Sequence, residues 1–265
     1  MLKLGSVGAD VRTLQTLLKG RGENITVDGW FGQATHAALI RAQRALGLVV
    51  DGIAGPKTLA ALESGNKAGK LLGLADLARA AQQLDVPLAA VRAINEVESR
   101  GAGFLADGRP VILLERHIMA RRLREHGIDP APHIARTPAI VNTQRGGYLG
   151  GAAEHRRLAM AREICEPAAI ESASWGLFQI MGFHWRDLGY DSAPQFERLM
   201  QRSEGAQLDA FVRFIEANPH LHKALRAGKW AQFAAGYNGP DYRANLYDIK
   251  LARAFERYSA MEAAA

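Results

Sequence analysis

Cysteine is nearly absent from this chain of 265 residues, which contains only Cys165. An intramolecular disulfide, a cysteine-rich zinc site and a paired-cysteine redox motif are therefore excluded. Long hydrophobic runs are also missing, because charged residues interrupt every apolar stretch before the roughly 18 residues that a membrane-spanning helix needs. Hydrophobic residues still make up 48% of the chain, which predicts a folded, water-soluble protein with a packed core.

Charge of one sign is not concentrated anywhere in the sequence. The chain has 33 Lys plus Arg against 27 Asp plus Glu, a formal net charge of +6, which favours a polyanionic partner such as nucleic acid or an anionic cell envelope. The cations are scattered and no recognition-helix or zinc-finger pattern occurs, so we expect no nucleic-acid partner. The opening residues Met1 to Ser6 lack the apolar core of a secretory signal peptide, and we expect none.

An internal repeat marks the beginning of the chain. Residues 27–39 recur as residues 50–62 with eight of thirteen positions identical. Each copy predicts an Asp-Gly turn followed by a helix that a threonine caps, Thr35 in the first copy and Thr58 in the second. Because another helical stretch precedes each copy, the sequence predicts a bundle of three helices in residues 1–65.

The repeat resembles a known binding domain. A Gly-x-x-Gly-x-x-Val-x-x-Leu-Gln pattern at residues 5–15, followed by two Asp-Gly-x-x-Gly-x-x-Thr turns, is similar to the peptidoglycan-binding domain of many bacterial and phage wall hydrolases. The resemblance implies a wall-anchoring module whose groove holds a peptide stem or a glycan. It implies that Asp28, Trp30, Phe31 and Asp51 serve this module, although the two aromatic side chains fit a plain core equally well.

A second, larger domain follows a short linker. Glycine, lysine and small polar residues dominate the segment up to residue 73, so we assign residues 66–73 to a flexible linker. Residues 74–265 form the second domain, and the fold class is predicted to be all-α. Apolar residues recur at helical spacing in eight stretches: Leu74 to Leu84, Leu88 to Ser99, Ile118 to His126, Ala152 to Ile164, Phe196 to Asn218, Ala224 to Ala227, Trp230 to Ala235 and Tyr242 to Met261. No alternating strand pattern is sustained, and Val111 to Leu114 fits either a short strand or an extended loop.

One glutamate in this domain has the surroundings of a proton donor. The predicted helix from Leu88 to Ser99 places Glu98 inside its apolar arc, whereas Glu96 lies on the polar side, where it can pair with Arg92. A carboxyl group in an apolar environment has a raised pKa and keeps its proton at neutral pH, as a general acid in glycoside cleavage must. Periodicity alone leaves open the other interpretation, in which Glu98 ends the helix and meets water.

Three motifs occur in the order found in a known group of wall-cleaving enzymes. Glu-Ser, Gly-Leu-x-Gln and Tyr-Asn in this order resemble goose-type lysozymes and lytic transglycosylases. The wider series is similar to the N-acetylmuramidase domain of modular phage endolysins, over residues 74 to about 262. The motifs read as follows: Glu98-Ser99-Arg100-Gly101, Ser174-Trp175-Gly176-Leu177-Phe178-Gln179-Ile180-Met181 and Tyr237-Asn238-Gly239-Pro240.

The resemblance implies roles for individual residues. Glu98 is expected to be the catalytic acid, Gln179 and Asn238 to line the saccharide cleft together with Ser174, and Tyr237 to brace the catalytic carboxyl. The sequence departs from the transglycosylase form in two places. A phenylalanine replaces the usual methionine before Gln179, and the alanine of the common Asn-Ala-Gly-Pro is missing.

Hydrolysis calls for a second carboxylate opposite Glu98. That carboxylate is expected at ~5 Å if it is a nucleophile and beyond ~6 Å if it activates water. Glu115, which follows an apolar segment at a helix start, and Glu171 are the two candidates. The resemblance favours Glu115, because the Leu-Glu-Arg-His of residues 114–117 lies in the segment most similar to the endolysin muramidases. Either residue could instead only cap a helix or pair with an arginine.

These observations imply an endolysin that hydrolyses the β-1,4 bond between N-acetylmuramic acid and N-acetylglucosamine and so lyses the host. We expect a monomer without metal or cofactor, with peptidoglycan and the anionic envelope as partners. It would wait in the host cytoplasm until a pore-forming partner opens the membrane, and then act in the periplasm or cell wall. Three alternatives stay open: a lytic transglycosylase, a zinc amidase or peptidase on the same module, and a wall-binding structural protein with a dead catalytic domain.

Overall fold

A computed structural model describes residues 1–65, 69–99 and 102–263, without the side chains of residues 240–242. The chain divides into two compact units, Met1–Arg79 and Ala80–Ala265. None of the helices in the described ranges has both the length and the apolar character that crossing a membrane requires. Seven residues on which predictions fell lie outside the described residues: Asn66, Lys67 and Ala68 of the linker, Arg100 and Gly101 of the first motif, and Ala264 and Ala265 at the end of the second domain.

The first unit contains the predicted bundle of three helices, α1 (Ala9–Gly20), α2 (Gln33–Ala45) and α3 (Pro56–Ser64). The apolar faces of these helices enclose one core, in which Leu14 and Phe31 are fully buried. Burying a large apolar side chain stabilises a fold by ~1.5–3 kcal/mol, so this core accounts for the stability of a unit without disulfides.

Each copy of the repeat folds into a turn that a buried glutamine closes. Gln15 Nε2 donates to Asp28 Oδ1 over 2.8 Å, and Gln15 Oε1 accepts from the amide of the following glycine over 2.9 Å. Gln43 makes the same two contacts in the second copy, at 2.7 Å from Asp51 and 2.9 Å from the glycine amide. Both glutamines are 1% exposed, and these bonds satisfy their buried carboxamides.

The prediction that Thr35 and Thr58 cap the two helices is wrong. α2 and α3 begin two residues earlier, at Gln33 and Pro56, and a glycine occupies each capping position. Proline suits the first helical position because its missing N–H has no partner there. The threonine of the first copy instead lies buried in the helix, where its Oγ1 accepts from Gln15 Nε2 over 3.0 Å.

The second unit is mainly helical, and the predicted all-α class is confirmed. α4 (Leu74–Leu84) crosses the boundary between the units. Ten further helices follow among the described residues: α5 (Leu88–Glu98), α6 (Arg116–Glu125), α7 (Ala131–Arg136), α8 (Ala152–Arg162), α9 (Glu166–Glu171), α10 (Ala193–Arg202), α11 (Glu204–Glu216), α12 (Pro219–Arg226), α13 (Trp230–Asn238) and α14 (Tyr247–Ala263).

α14 packs along α5 and covers the side of α5 that the sequence analysis took to be the polar one. The expected pair between Arg92 and Glu96 is therefore wrong. Arg92 is 5% exposed and its Nη1 lies 3.2 Å from Glu262. Glu96 pairs with Arg257 and accepts a hydrogen bond of 2.7 Å from the Tyr258 hydroxyl. Both side chains find their partners across the helix interface rather than along their own helix.

A small antiparallel sheet interrupts the helices. Its strands are β1 (Ile112–Leu114), β2 (Ala173–Trp175) and β3 (Ile180–Met181). β1 matches one of the two predicted alternatives for its segment, whereas β2 and β3 were not predicted. β2 has only three residues, all of them buried, and so short a run cannot establish the alternation of polar and apolar residues by which a sequence reveals a strand.

The long helix predicted from Phe196 to Asn218 is two helices, α10 and α11. They separate at Ser203, whose Oγ accepts from the Ala206 amide over 3.1 Å and caps α11. Apolar positions continue at helical spacing through the junction, so periodicity alone does not reveal the break. The serine directly before a glutamate is the local signal for it.

Candidate active site

A cleft of about 360 Å³ lies in the second unit where three parts of the chain meet. Glu98 comes from the end of α5, Gln179 from the turn between β2 and β3, and Tyr237 and Asn238 from the end of α13. The structure thus brings residues of all three sequence motifs to one place. The other described residues that line the cleft are Val97, Ser99, Phe178, Ile180, Met181, His184, Phe214 and Tyr247.

Glu98 is the acidic residue of this cleft. It ends α5 and is partly buried, and Asn238 Nδ2 donates to its Oε1 over 2.9 Å. Burial raises the pKa of Glu98 above its ordinary value, and the hydrogen bond from Asn238 offsets only part of this effect. The predicted direction of the pKa shift is confirmed, although Glu98 also ends its helix as the other interpretation had it.

Gln179 is fixed by its own turn. Its backbone has a positive φ of 53°, its Nε2 donates to the Gly176 carbonyl over 2.9 Å, and its Oε1 accepts from the Ser174 hydroxyl over 2.8 Å. Ser174 therefore orients the carboxamide that lines the cleft. This arrangement gives Ser174 a supporting position under Gln179.

Tyr237 connects α13 to the same turn. Its hydroxyl donates to the Phe178 carbonyl over 3.0 Å, and its ring packs edge to face on Phe211 with the centroids 5.3 Å apart. The expected role of Tyr237, to brace the catalytic carboxyl, stays a prediction, while this hydrogen bond joins its hydroxyl to the backbone next to Gln179. Tyr237 thus holds the turn that carries Gln179 against the helix that carries Asn238.

Glu115 is not among the residues that line the cleft. Val111 marks the near end of β1, because its carbonyl lies 3.5 Å from Gln179 Nε2. Backbone pairing with the segment of β2 continues from Val111 to Glu115, and four residues of extended chain cover ~13 Å. Glu115 thus lies one strand length beyond the contact between Val111 and Gln179, and its assignment as the second carboxylate stays a prediction.

The Glu115 carboxylate has other partners. The Tyr148 hydroxyl donates to it, at 2.8 Å from Oε2 and 3.0 Å from Oε1. His117 Nδ1 lies 3.2 Å from Oε2. Glu115 occupies the capping position of α6 but makes no capping bond with its side chain. These contacts make Glu115 the hydrogen-bond acceptor that anchors Tyr148.

Glu171, the alternative second carboxylate, is buried in a structural cluster. It is 3% exposed and accepts from Trp185 Nε1 at 2.8 Å and from Arg122 Nε at 2.9 Å, and His126 Nε2 lies at 2.9 Å. Burial raises the pKa of Glu171, but the hydrogen bonds from Trp185, Arg122 and His126 outweigh it and hold the pKa below its ordinary value. Glu171 is therefore a fully partnered internal anion without access to substrate.

The residues assigned to the wall-binding module have different surroundings. The Asp28 and Asp51 carboxylates accept from the buried glutamines and from the backbone of their own turns, so they shape the turns. Trp30 is 60% exposed, and its ring lies so close to Gly32 that a Cβ there would be 3.0 Å away. Phe31 is fully buried in the core, so the expectation that it lines a groove is wrong.

Comparison with known proteins identifies both units. The family described as N-acetylmuramidase matches residues 87–259, about two thirds of the chain. The chain belongs to the N-acetylmuramidase family. A second family, described as "Putative peptidoglycan binding domain", matches residues 7–62 of the muramidase.

A solved structure covers nearly the whole muramidase. The crystal structure of the Burkholderia AP3 phage endolysin is 54% identical, covers 98% of this chain and 99% of that chain, and superimposes with a TM-score of 0.93. The predicted recognition, an endolysin-like chain with a peptidoglycan-binding domain before a muramidase domain, is confirmed. The class of glycoside hydrolase acting on peptidoglycan is confirmed with it.

Two curated relatives share only a short segment with the muramidase. The zinc D-Ala-D-Ala carboxypeptidase of Streptomyces albus G is 50% identical over 60 residues, which are 22% of this chain and 24% of that protein. The N-acetylmuramoyl-L-alanine amidase CwlM of Mycobacterium tuberculosis (strain ATCC 25618 / H37Rv) is 52% identical over 56 residues, 21% of this chain and 14% of that protein. The matches thus span a quarter or less of these two relatives.

Two buried polar residues of α11 support the muramidase cleft and were missed by the sequence analysis. Gln207 Oε1 accepts from the Leu177 amide over 2.7 Å, and its Nε2 donates to the Gly103 carbonyl over 3.2 Å. Glu204 accepts from the Gly103 amide over 2.8 Å. They join the chain that follows Glu98 to the turn that carries Gln179. Their signal in the sequence is a polar residue at apolar helical spacing, which is easily taken for an interruption.

His184 is a further residue of the muramidase cleft that the sequence analysis left among surface and structural histidines. Its ring packs against Phe183 and Phe214, with centroids 4.3 and 5.2 Å away. Burial lowers the pKa of His184, so the imidazole is neutral at pH 7. The cleft therefore combines a carboxyl that favours its protonated form with a neutral imidazole.

Proposed function

We propose that this muramidase hydrolyses the β-1,4 bond between N-acetylmuramic acid and N-acetylglucosamine, with Glu98 as the general acid. The observation that carries the proposal is a carboxyl group with a raised pKa in a cleft that residues of all three motifs line. The family and the similarity to a phage endolysin support the substrate class. We also propose the domain boundaries of the sequence analysis, residues 1–65 for wall binding, 66–73 for the linker and 74–265 for catalysis.

The first step is transfer of the Glu98 proton to the bridging glycosidic oxygen. The C–O bond to the anomeric carbon breaks, the proton stays on the leaving sugar hydroxyl, and positive charge develops on the other ring. Asn238 donates to Glu98 Oε1 and stabilises the carboxylate that this step leaves behind. Gln179, oriented by Ser174, presents its carboxamide to the sugar, and Tyr237 holds the turn beneath it.

Water completes the reaction. It attacks the anomeric carbon, and the Glu98 carboxylate takes up the released proton, so the acid is restored. Among the residues whose side chains the structure describes, Glu98 is the one carboxylate that lines the cleft, which leaves this second step to the same group. That observation also favours one second candidate. In a lytic transglycosylase the muramyl 6-hydroxyl replaces water, and no second carboxylate is needed.

Product analysis tests both the bond and the reaction. Peptidoglycan is digested with the wild-type protein and with Glu98→Gln, and the released sugars are analysed by mass spectrometry. We expect new reducing N-acetylmuramic acid ends from the wild type and a loss of ~10²–10⁴-fold in rate for Glu98→Gln, the range that general acid catalysis contributes. Glutamine keeps an acceptor for Asn238, so the variant removes the proton with little change in shape.

Each other outcome identifies an alternative. Anhydro-muramic ends, which are one water lighter, would show that the reaction is transglycosylation and not hydrolysis. New amines without new reducing sugars, abolished by a chelator, would indicate a zinc amidase or peptidase. Unchanged wall clearing by Glu98→Gln would show that the catalytic centre lies elsewhere in the protein. If the wild type clears no walls at all, a structural wall-binding protein is favoured.

We propose further that the protein acts as a monomer from inside the host, reaching the periplasm and cell wall once a pore-forming partner opens the membrane. The net charge of +6 supports attraction to the anionic envelope and is screened as salt concentration rises. Light scattering at working concentration measures the oligomeric state directly.

A further inference from the structure

An exposed aromatic side chain stands outside the muramidase cleft on a loop rich in glycine. Tyr148 is 43% exposed and the neighbouring Leu149 is 68% exposed. The four glycines of residues 146–151 all have positive φ. Such a sequence is flexible by itself, so a fixed conformation here requires contacts from the rest of the fold.

A buried carboxylate fixes one side of this loop. Glu154 is 0% exposed, and it accepts from the amides of Leu149 at 2.7 Å and Gly150 at 3.1 Å. It also accepts from the amide of Leu114 in β1 at 2.9 Å and pairs with Arg157 at 2.6 Å. A charge buried so deeply is stable only when it is fully partnered, so the loop and the sheet are held together by a group that solvent cannot reach.

An arginine and a second glutamate fix the other side. The Arg116 guanidinium donates to the backbone carbonyls of residues 144 and 145 at 2.9 and 2.8 Å. The Tyr148 hydroxyl donates to both oxygens of Glu115 at 2.8 and 3.0 Å. Burial and the hydrogen bond to Glu115 raise the pKa of Tyr148, so the hydroxyl keeps its proton and remains a donor at neutral pH. The exposed ring thus has one orientation.

The sheet connects the cleft with the carboxylate that holds Tyr148. In the antiparallel sheet Met181 faces Ser174 and Ser174 faces Leu113, and residues that face each other point to the same side of a sheet. Residues two apart on one strand also share a side. A strip of side chains on one face of the sheet therefore runs from the cleft to the base of Tyr148: Met181, Ser174, Leu113 and Glu115.

Positive charge accompanies this strip. Arg121 lies over the Phe183 ring at 5.3 Å, beside the cleft residue His184. At the other end of the strip burial lowers the pKa of His117; the charge of Glu115 opposes this effect, and those of Arg145 and Arg121 add to it. A cationic margin complements an anionic polymer: the peptide stems of peptidoglycan carry carboxylates, and a muramic acid has a free carboxylate where its stem has been removed.

We propose that Tyr148, oriented by Glu115, forms an accessory subsite on which a sugar ring of the peptidoglycan glycan strand stacks outside the catalytic cleft. This inference rests on the proposed function and adds a place where the strand is held. Glu115 is then a positioning residue. A sugar presents C–H groups on one face of its ring, and a rigid aromatic side chain covers that face at low entropic cost.

The test compares the full-length wild type with Tyr148→Ala and Tyr148→Phe. Two substrates are used: long glycan strands freed of their peptide stems, and the shortest oligosaccharide that the wild type cleaves. Loss of an aromatic anchor at a binding site costs about tenfold in affinity. For Tyr148→Ala we therefore expect KM for long strands to rise about tenfold at constant kcat, and KM for the short substrate to rise much less. Tyr148→Phe keeps the ring but loses the hydrogen bond to Glu115, so its KM for long strands should lie between those of the wild type and Tyr148→Ala.

Glu115→Gln distinguishes positioning from catalysis. Glutamine retains an acceptor for the Tyr148 hydroxyl, so the positioning role predicts a KM effect no larger than that of Tyr148→Phe and a kcat within twofold of the wild type. A loss of kcat of a hundredfold or more on both substrates would instead make Glu115 a catalytic carboxylate and overturn the inference.

A binding measurement separates this inference from the proposed function. The inactive Glu98→Gln protein, with and without Tyr148→Ala, is titrated with the stem-free strands. Weaker binding of the double variant supports the subsite even if the bond that is cleaved proves to be another. Equal affinity of the two proteins, or an equal KM change on long and short substrates, would show that Tyr148 holds no sugar.

Discussion

Glu98 keeps its proton more readily in the folded protein than in an unfolded chain. Burial in the cleft raises its pKa, and the single amide from Asn238 compensates only in part. An acid whose pKa is higher in the folded state binds more protons there, so the free energy of unfolding decreases as pH rises from its unfolded towards its folded pKa. The cleft thus holds a group that is useful for catalysis at a cost in stability at neutral pH.

We predict that Glu98→Gln is more stable than the wild type at neutral pH and loses this advantage below the ordinary pKa of glutamate. The amide carries no charge to desolvate and still accepts from Asn238, so only the penalty on the charged form is removed. Urea unfolding of both proteins from pH 4 to pH 8 measures the difference. A constant difference across this range would mean that ionisation of Glu98 is not its cause.

Individual site residues were predictable to different degrees. Glu98, Gln179 and Asn238 belong to ordered motifs, and the structure brings them to one cleft. The pattern could not tell that Trp30 is exposed and Phe31 is core, because adjacent aromatics in a turn have no periodicity. The apolar run before Glu115 does deliver it to a helix start, but the sequence did not reveal that this run pairs with β2, so the distance of Glu115 from the cleft was not predictable.

At the scale of elements, the turn between β2 and β3 depends on α11. Gln207 fills the space beside Gly176, where a Cβ would lie 2.4 Å from its Cδ, and it bonds the Leu177 amide and the Gly103 carbonyl. One carboxamide therefore sets the distance between the segment after Glu98 and the turn before Gln179.

We predict that Gln207→Leu lowers kcat by about tenfold to a hundredfold, since small displacements of catalytic groups have effects of this size. It also leaves the Leu177 amide and the carbonyls of Gly103 and Met200 without this partner. Each unsatisfied buried group costs ~1–3 kcal/mol of stability. Steady-state kinetics below the unfolding transition measure the first effect and urea unfolding the second. Gln43→Leu, which removes an equally buried carboxamide from the first unit, is the matched control. An equal kcat for the two variants would show that Gln207 does not position the catalytic groups.

The elements that the sequence revealed are those with a long amphipathic face. The bounds of α4 match the predicted helix at both ends, and α5 starts at the predicted residue. Short elements escaped because β2 and β3 comprise three and two residues, too few to establish a period. The break at Ser203 escaped because both helices present apolar residues to the same core.

At the scale of the whole molecule, a small unit of the peptidoglycan-binding type accompanies a muramidase unit. A binding module next to a catalytic domain raises the effective concentration of a polymeric substrate without changing the active site. The exposed ring of Trp30 is the strongest candidate for its contact with the wall.

We predict that deletion of residues 1–65 lowers activity on intact walls by ~10²-fold and hardly changes activity on soluble fragments. Trp30→Ala should reproduce part of this loss with the fold intact, since the side chain is 60% exposed. Turbidity clearing of walls and reducing-sugar release from fragments provide the two readouts. Equal losses on both substrates would mean that the module supports folding of the enzyme rather than targeting.

The duplicated turns of the first unit raise a problem of correct assembly. Gln15 and Gln43 make the same two contacts, with the aspartate and the glycine of their turns, so a helix of one half matched to the loop of the other would keep both. What differs is volume at one equivalent position, where Phe31 and Ala54 are both fully buried. Exchanged halves would leave a void on one side and a clash on the other. Size, and not polarity, thus makes the native arrangement unique.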